Sequence, residues 1–517
     1  MLIKISLLLV FFAIMLAVGF ISRKKVSSVD GFILGGRTMG PWLTAFSYGT
    51  SYFSAVIFVG YAGQFGWRFG VSSIWIGLGN AIIGSMLAWV ILGRRTRIMT
   101  QHLSSSTMPE FFGKRYGSEG LKIISSAIIF IFLIPYTASL YNGLSRLFGM
   151  AFGIDYTVCI VAMALLTGVY VIAGGYIASS VNDFIQGVIM LAGIVAVIGA
   201  VLNLNGGFME SLRILAEVED AAVSTVPGVF ASLFGPDPLS LLGVVLLTSL
   251  GTWGLPQMVQ KFYAIKSEAA IGKGTIISTV FAVIISGGCY FLGGFGRIFS
   301  HKFNVAVDGY DAIIPAMIAD MTPLLVGVVV ILVLSASMST LSSLVMASSS
   351  TLTLDFLKGH IVKKMDEKRQ LLTIRVLIVV FIAISVVIAI IQYKQNVTFI
   401  AQLMGISWGA LAGAFLAPFL YGLYWKGVSR AAVWCCFIVS PGFMIYNMLF
   451  RSTLPAILQS PINAGAFVML LSLVLVPAVS MLTKKPDSEL VGEVFSCLDS
   501  VVTVTARESI GESASGN

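Results

Sequence analysis

The stretch WLTAFSYGTSYFSAVIFVG, residues 42–60, interrupts an apolar segment with Gly49 and a cluster of hydroxyl-bearing side chains. Glycine and short polar residues weaken a helix at this point. Within a bilayer, backbone that leaves the helical hydrogen-bond pattern must be buried in protein or line a cavity. The stretch therefore predicts a broken membrane helix that contributes backbone oxygens to an internal site.

The composition of the whole chain is that of a membrane protein. Hydrophobic residues make up 57% of the 517 positions, charged residues make up 11%, and the mean hydropathy is +0.96. A helix needs about 20 apolar residues to cross the roughly 30 Å hydrocarbon core of a bilayer. We predict thirteen spans, near residues 3–22, 42–65, 71–93, 121–148, 154–175, 181–203, 238–262, 271–299, 318–350, 372–393, 397–425, 429–450 and 460–482.

A second break is predicted in LLTSLGTWGLPQMVQ, residues 246–260, where Gly251, Gly254 and Pro256 interrupt the seventh span. The two broken spans are five apart, so they occupy corresponding places if spans two to six and seven to eleven are inverted repeats. Such a pair is typical of the central site of a transporter. The alternative is two glycine-rich helix crossings without a ligand.

The predicted fold is an all-α polytopic membrane protein of about thirteen helices with an inverted five-plus-five repeat core. Its predicted parts are an extra N-terminal helix and cytoplasmic link at 1–41, the first repeat and an outer loop at 42–237, the second repeat at 238–425, two C-terminal helices at 426–484 and a cytoplasmic tail at 485–517.

Basic residues set the predicted orientation. The run SRKK at 22–25 follows the first span, which is the reverse of the charge order of a signal peptide, so we expect this span to be retained. Cytoplasmic loops carry an excess of Lys and Arg. We expect a multi-pass protein of the bacterial cell membrane with its N-terminus outside and its C-terminus in the cytoplasm. This leaves eight of 32 basic residues outside, namely Lys4, Arg68, Arg146, Arg213, Arg297, Lys302, Lys394 and Arg451. Orientation thus explains the net charge of +9, and no nucleic-acid partner is expected.

Few groups in the predicted spans support catalysis, so we predict that the protein is not an enzyme. The five cysteines are odd in number and show no metal-ligand spacing with the three histidines. The exception is Asp183, near the start of the sixth span. An intramembrane carboxylate is costly and usually belongs to an ion or proton path, although a carboxylate in the first turn of a helix also favours the positive end of its dipole.

The ninth span ends in SASMSTLSSLVMASSSTLTL, residues 335–354. At 100 degrees per residue, Ala336, Ser339, Thr340 and Ser343 fall in one sector about 100 degrees wide. Sodium is a hard cation that prefers oxygen ligands, and this face offers several. The alternatives are that the hydroxyls bond carbonyls of their own helix or let helices approach closely.

Three motifs together resemble those of the sodium:solute symporter family, which includes proline, pantothenate, sialic-acid and sugar cotransporters. They are GGRTMGP at 35–41, the Asn182-Asp183-x-x-Gln186 pattern, and the run at 338–342. The resemblance implies a LeuT-like fold and sodium-coupled symport of a small organic solute by alternating access. An ion channel or a membrane sensor is the alternative from another class.

The resemblance also implies where cations bind. The first sodium site would comprise the carbonyls of Thr50, Phe53 and Ala336 with the hydroxyls of Ser339 and Thr340. Some members of the family have a second sodium site, and here the matching residues are Asp183, Ser339, Ser342 and Ser343. The coupling ion is therefore expected to be Na+, with one or two ions bound, unless Asp183 takes a proton instead.

Solute contacts are predicted near the two breaks, at Tyr52, Ser54, Tyr136, Thr252, Trp253 and Gln257. The family's proline carriers have an aspartate at the position of Tyr52 and aromatic residues at those of Thr248 and Thr252, so this chain departs from them. The family's sialic-acid carriers have a carboxylate-binding arginine in the fourth span, whereas residues 123–143 contain none and Arg146 lies toward the outer end of this span. An amino acid or small carboxylate of the proline or pantothenate class is expected, with sugars, polyols or sialate as alternatives. The expected partners are this solute and the lipid bilayer, with no obligatory protein partner.

Overall fold

A computed structural model describes residues 2–23, 28–358, 360–362, 364–395 and 400–498. Described residues are nearly all helical, and the β-pairing among them consists of three isolated bridges. The first eleven helices are α1 (Leu2–Ser22), α2 (Val29–Leu34), α3 (Pro41–Tyr52), α4 (Ala62–Phe69), α5 (Ile74–Gly79), α6 (Arg94–His102), α7 (Met108–Tyr116), α8 (Glu119–Phe152), α9 (Tyr156–Leu204), α10 (Phe208–Ala216) and α11 (Pro238–Leu250). They are followed by α12 (Pro256–Ala264), α13 (Glu268–Ala282), α14 (Gly288–Gly294), α15 (Val305–Asp308), α16 (Ile313–Ile318), α17 (Pro323–Thr351), α18 (Glu367–Gln395), α19 (Ile400–Tyr424), α20 (Arg430–Phe450), α21 (Pro461–Leu482) and α22 (Ser488–Ser496).

Among the described residues, ten helical runs are long and apolar enough to span a membrane, and the bent pair of α11 and α12 is an eleventh candidate. Two of these runs each contain two predicted spans. The run Val56–His102 turns at Gly70, and α9 turns at Gly175, where φ is +64° and +55°. Glycine alone adopts such angles readily. Dividing the runs at these turns gives twelve segments among the described residues, or thirteen with the bent pair, while the number of membrane crossings stays a prediction.

Burial separates central from peripheral helices. We compare the most apolar part of each run. In this part, 94% of the residues are buried for Gln402–Tyr424 and 78% for Pro323–Leu357, against 22% for Ile3–Ser22. α17 packs against α3, α8 and α9, and α19 packs against α8, α20 and α21. The hydroxyl-rich α17 therefore lies inside the bundle, where its polar side chains can meet other helices rather than lipid.

Both predicted breaks are confirmed. α3 ends at Tyr52, and the backbone of Phe53 leaves helical geometry (φ −100°, ψ 87°) before a helix resumes at Val56. The break lies after Gly49, which sits inside α3, and a methyl group at Gly49 would come within 2.4 Å of the ring of Phe281. This glycine therefore permits close packing rather than forming the break.

The second break separates α11 from α12, whose axes differ by 43°. A 3-10 turn over Gly251–Trp253 follows α11, and α12 starts at Pro256. Proline suits the first position of a helix because it has no N–H to leave unpaired. The second break thus has a local cause in the sequence, whereas the division of the chain into two inverted repeats stays a prediction.

Candidate functional site

The first group of site residues lies where α17 crosses the break in α3. The carbonyl of Thr50 accepts hydrogen bonds from Ser339 Oγ and Thr340 Oγ1, both at 3.1 Å, and Thr340 Oγ1 also lies 3.4 Å from the carbonyl of Ser51. All four residues are buried. The predicted hydroxyl face of α17 therefore meets the last turn of α3.

The same hydroxyls also bond within α17. Ser339 Oγ lies 2.9 Å from the carbonyl of Ser335 and 3.2 Å from that of Ala336, and Thr340 Oγ1 lies 3.0 Å from the carbonyl of Ala336. Each hydroxyl has one hydrogen, so the carbonyls of α17 and of Thr50 share it as alternative acceptors. The result is a buried cluster of neutral oxygens on two helices, and Phe53, which follows α3, has non-helical backbone angles. This donor set suits a hard monovalent cation.

The second group surrounds Asp183. This residue lies in α9, eight positions after the turn at Gly175. Ser47 Oγ donates a hydrogen bond to Asp183 Oδ2, and Lys261 Nζ lies 4.0 Å from the same oxygen. The carboxylate thus contacts groups on α3 and α12, so it serves a buried polar cluster rather than the first turn of a helix.

Lys261 is a site residue that the sequence analysis missed. Its ammonium donates to Ser47 Oγ at 2.8 Å and to Ser343 Oγ at 3.0 Å, and its side chain is 2% exposed. The signal was available, because this lysine falls inside the predicted seventh span and a charge there requires a partner. The apolar residues around Lys261 outweigh its single charge when the span is judged by its overall hydrophobicity.

The structure brings together two of the four residues predicted for a second cation. Asp183 and Ser343 both contact Lys261. Ser342 Oγ instead donates to the carbonyl of Ser339 at 2.8 Å, and Ser339 Oγ takes part in the first group. The two groups of residues are therefore adjacent on α17 but use different hydroxyls.

Among the predicted solute contacts, three have polar atoms that the protein already bonds. The hydroxyl of Tyr52 donates to the carbonyl of Thr248. Thr252 Oγ1 donates to the carbonyl of Gly84 at 3.1 Å, and the indole N–H of Trp253 donates to the carbonyl of Ile83 at 3.0 Å. Tyr52 thus joins the two broken spans to each other, and Thr252 and Trp253 hold the seventh span against the third predicted span.

Other polar groups near the breaks lack protein partners. Among the described residues, the hydroxyl of Tyr136, the indole N–H of Trp408 and both amide atoms of Gln257 are buried without a hydrogen bond. The ring centroid of Trp408 lies 6.0 Å from that of Tyr136 and 6.1 Å from that of Tyr52. Buried polar groups are nearly always satisfied, so water or a ligand is expected to bond them.

Trp408 is the second residue that the sequence analysis missed. It lies in α19 and joins aromatic residues of the second and fourth predicted spans. Ser54 lies within the break itself, and its hydroxyl accepts from the N–H of Val56 at 3.3 Å. The side chain of Arg146, one of the basic residues predicted to lie outside, is not among those that the structure describes.

Comparisons with known proteins agree with this architecture. The sequence model of the sodium:solute symporter family matches residues 32–438. A sodium/proline symporter of Staphylococcus aureus is 31% identical over 432 residues, covering 82% of this chain and 81% of the relative. Sodium/proline symporter 2 of Staphylococcus saprophyticus is 30% identical over 497 residues, covering 93% of each chain.

Solved structures are similar in fold. A Na+-coupled sialic acid symporter in a substrate-bound, outward-open state has a TM-score of 0.75 at 18% identity, covering 94% of this chain and 98% of that chain. Mhp1, a nucleobase-cation-symport-1 family transporter, has a TM-score of 0.50 at 13% identity, covering 90% and 97%. The predicted all-α, LeuT-like fold class is thereby confirmed.

Proposed function

The chain belongs to the sodium:solute symporter family, and on that basis we propose that it carries a small amino acid or carboxylate of the proline class across the cell membrane together with sodium. One structural observation supports the coupling above all others. The hydroxyls of Ser339 and Thr340 on α17 converge on the carbonyl of Thr50 at the break in α3. A cation bound there would link two helices that must move relative to each other during alternating access.

The first sodium ion would be held by the carbonyls of Thr50, Phe53 and Ala336 and by the hydroxyls of Ser339 and Thr340. To bind it, the two hydroxyls would turn their lone pairs toward the ion and give up their hydrogen bonds to the carbonyl of Thr50, while their hydrogens would bond carbonyls of α17. Since all five ligands are neutral, the bound ion brings a net positive charge. Moving that charge through about 100 mV releases about 2.3 kcal/mol, so uptake of a neutral solute is expected to be electrogenic.

The solute would bind among the aromatic side chains of Tyr52, Tyr136 and Trp408. The unpartnered hydroxyl of Tyr136, indole N–H of Trp408 and amide of Gln257 would supply its hydrogen bonds. This is a small number of polar groups beside a large aromatic surface, which favours a compact, partly apolar solute over a sugar or polyol with hydroxyls on every side. The names of the two staphylococcal relatives also favour a proline-like solute.

The departures from proline carriers involve positions that bond one another. Tyr52 stands where those carriers have an aspartate, and its hydroxyl donates to the carbonyl of Thr248, another departing position. That carbonyl belongs to the main chain, so the side chains at the two positions differ from those of the proline carriers independently of this bond. We therefore propose the proline class of solute rather than proline alone.

Transport by the purified full-length chain in proteoliposomes tests this function. Labelled L-proline, pantothenate, glucose and sialic acid are offered separately, with sodium outside or with choline replacing it. We expect accumulation of a solute of the first two classes only with sodium, and exchange of labelled for unlabelled solute across the membrane. Accumulation that is equal in choline would contradict sodium coupling, and sodium-driven uptake of glucose or sialic acid alone would contradict the solute class.

A further inference from the structure

The buried ammonium of Lys261 occupies a site that the family resemblance would give to a second sodium ion. It lies 4.0 Å from Asp183 Oδ2, 2.8 Å from Ser47 Oγ and 3.0 Å from Ser343 Oγ. Asp183 and Ser343 are also two of the four residues that match the second sodium site. The protein's own cation thus contacts the carboxylate and a hydroxyl that such an ion would need.

The surroundings of Lys261 suit an ammonium group. An ammonium has three N–H donors, and two of them are used by Ser47 and Ser343 at ordinary hydrogen-bond distances. Its remaining side faces Asp183 and the ring of Tyr176, whose centroid lies 5.2 Å from Nζ. A carboxylate and an aromatic face both attract a cation. The charge of this lysine is therefore compensated within the protein.

The remaining predicted ligands of a second ion are directed elsewhere. Ser342 Oγ donates to the carbonyl of Ser339, and Ser339 Oγ donates to the carbonyl of Thr50 in the first group. A sodium ion added beside Asp183 would place two positive charges next to one carboxylate in a buried site. Burial of an uncompensated charge is strongly unfavourable. The residues around Asp183 therefore do not suit a second sodium ion while Lys261 remains charged and in place.

We propose that Lys261 is a built-in cation that replaces the second sodium ion, so that this chain binds and couples one sodium ion per solute. The inference rests on the proposed function for the first sodium site only. The number of coupled ions sets the energetics of uptake. The limiting accumulation ratio of the solute is the driving ratio for sodium raised to the power of that number. A carrier that couples one sodium ion reaches a lower solute accumulation ratio than one that couples two, but it admits one sodium ion per solute instead of two.

The test is the number of sodium ions bound by the purified full-length protein in lipid nanodiscs, measured by equilibrium binding of 22Na+ with choline keeping the ionic strength constant. We expect one ion per chain in the wild type. Lys261→Ala removes the ammonium and opens the site, so we expect two ions per chain. Lys261→Arg keeps the positive charge and is the matched control, with one ion expected. Adding Asp183→Asn to Lys261→Ala should return the number to one.

Two results would overturn the inference alone: two sodium ions in the wild type, or one ion in a Lys261→Ala protein that elutes as a folded monodisperse species. If Lys261→Ala does not fold, the wild-type number still decides between one ion and two. Failure of the proposed function gives a different result, since a wild type that binds no sodium would remove the first site and this inference with it. Ion counting also excludes a merely structural role, because a lost interhelical contact would not create a sodium site.

Discussion

Removing the two hydroxyls that meet the break in α3 should weaken sodium binding strongly. The variant is Ser339→Ala with Thr340→Val, which preserves the shape of the threonine side chain. Each hydroxyl is worth about 1 kcal/mol as a ligand. Because about 1.4 kcal/mol corresponds to a tenfold change in affinity, the loss of both should raise the sodium concentration for half-maximal uptake roughly 30-fold. The measurement is the sodium dependence of uptake in proteoliposomes at constant ionic strength.

Ser337→Ala is the matched control for this variant. Ser337 is buried in the same helix, but its hydroxyl donates to the carbonyl of Val333 at 2.8 Å within α17. The control therefore removes a buried serine hydroxyl without touching α3, and its sodium dependence should stay within about threefold of the wild type. A folded double variant whose half-maximal sodium concentration also stays within about threefold would refute the first site.

Three further changes test other parts of the site and fold. Asp183→Asn leaves the ammonium of Lys261 buried without a counter-charge, which should cost about 3–5 kcal/mol of stability; the melting temperature should fall, and adding Lys261→Met should restore much of it, whereas an unchanged melting temperature in Asp183→Asn would contradict the ion pair. Trp408→Phe keeps an aromatic ring but removes an unpartnered N–H, so the KM for the solute should rise about fivefold for one lost hydrogen bond while the sodium dependence stays the same; an unchanged KM would place the solute elsewhere. Gly175→Ala forces a side chain onto a φ of +55° where its Cβ would lie 2.7 Å from backbone, so the yield of folded protein should collapse, whereas Gly149→Ala, with open space around it, should express normally; equal yields would contradict the turn in α9.

The sequence predicted the features whose causes are local. Gly251, Gly254 and Pro256 within an apolar segment indicate the second break, and the polar cluster around Gly49 indicates the first, which lies after Tyr52. The periodicity of α17 likewise placed Ser339 and Thr340 on one face, and that face meets Thr50 in the structure. Gly49 shows where this local reasoning stops. It has no side chain, which leaves room for the ring of Phe281, a residue more than two hundred positions away.

The missed residues depend on contacts between distant parts of the chain. Lys261 lies 78 positions from Asp183, and its side chain also meets serines of α3 and α17. Trp408 joins aromatic residues from two earlier spans. Spacing and periodicity along the chain do not indicate which distant positions meet. A lysine within a predicted membrane span nevertheless predicts a partner group, because its charge must be compensated there.

The two groups of cation ligands share helices, and this arrangement suggests how sodium binding could reach Lys261. Thr50 and Ser51 are neighbours in the last turn of α3; the first contacts Ser339 and Thr340, and the second lies 2.7 Å, Oγ to Oγ, from Ser343. Ser343 in turn accepts from Lys261. A sodium ion that draws the Thr50 carbonyl toward itself would turn the peptide plane that also carries the N–H of Ser51, and we expect Ser51 to move with it. The hydrogen bond between Ser51 and Ser343 would then carry that shift to the ammonium of Lys261 and to the carboxylate of Asp183. Sodium bound by neutral ligands would in this way alter a buried ion pair that it does not contact.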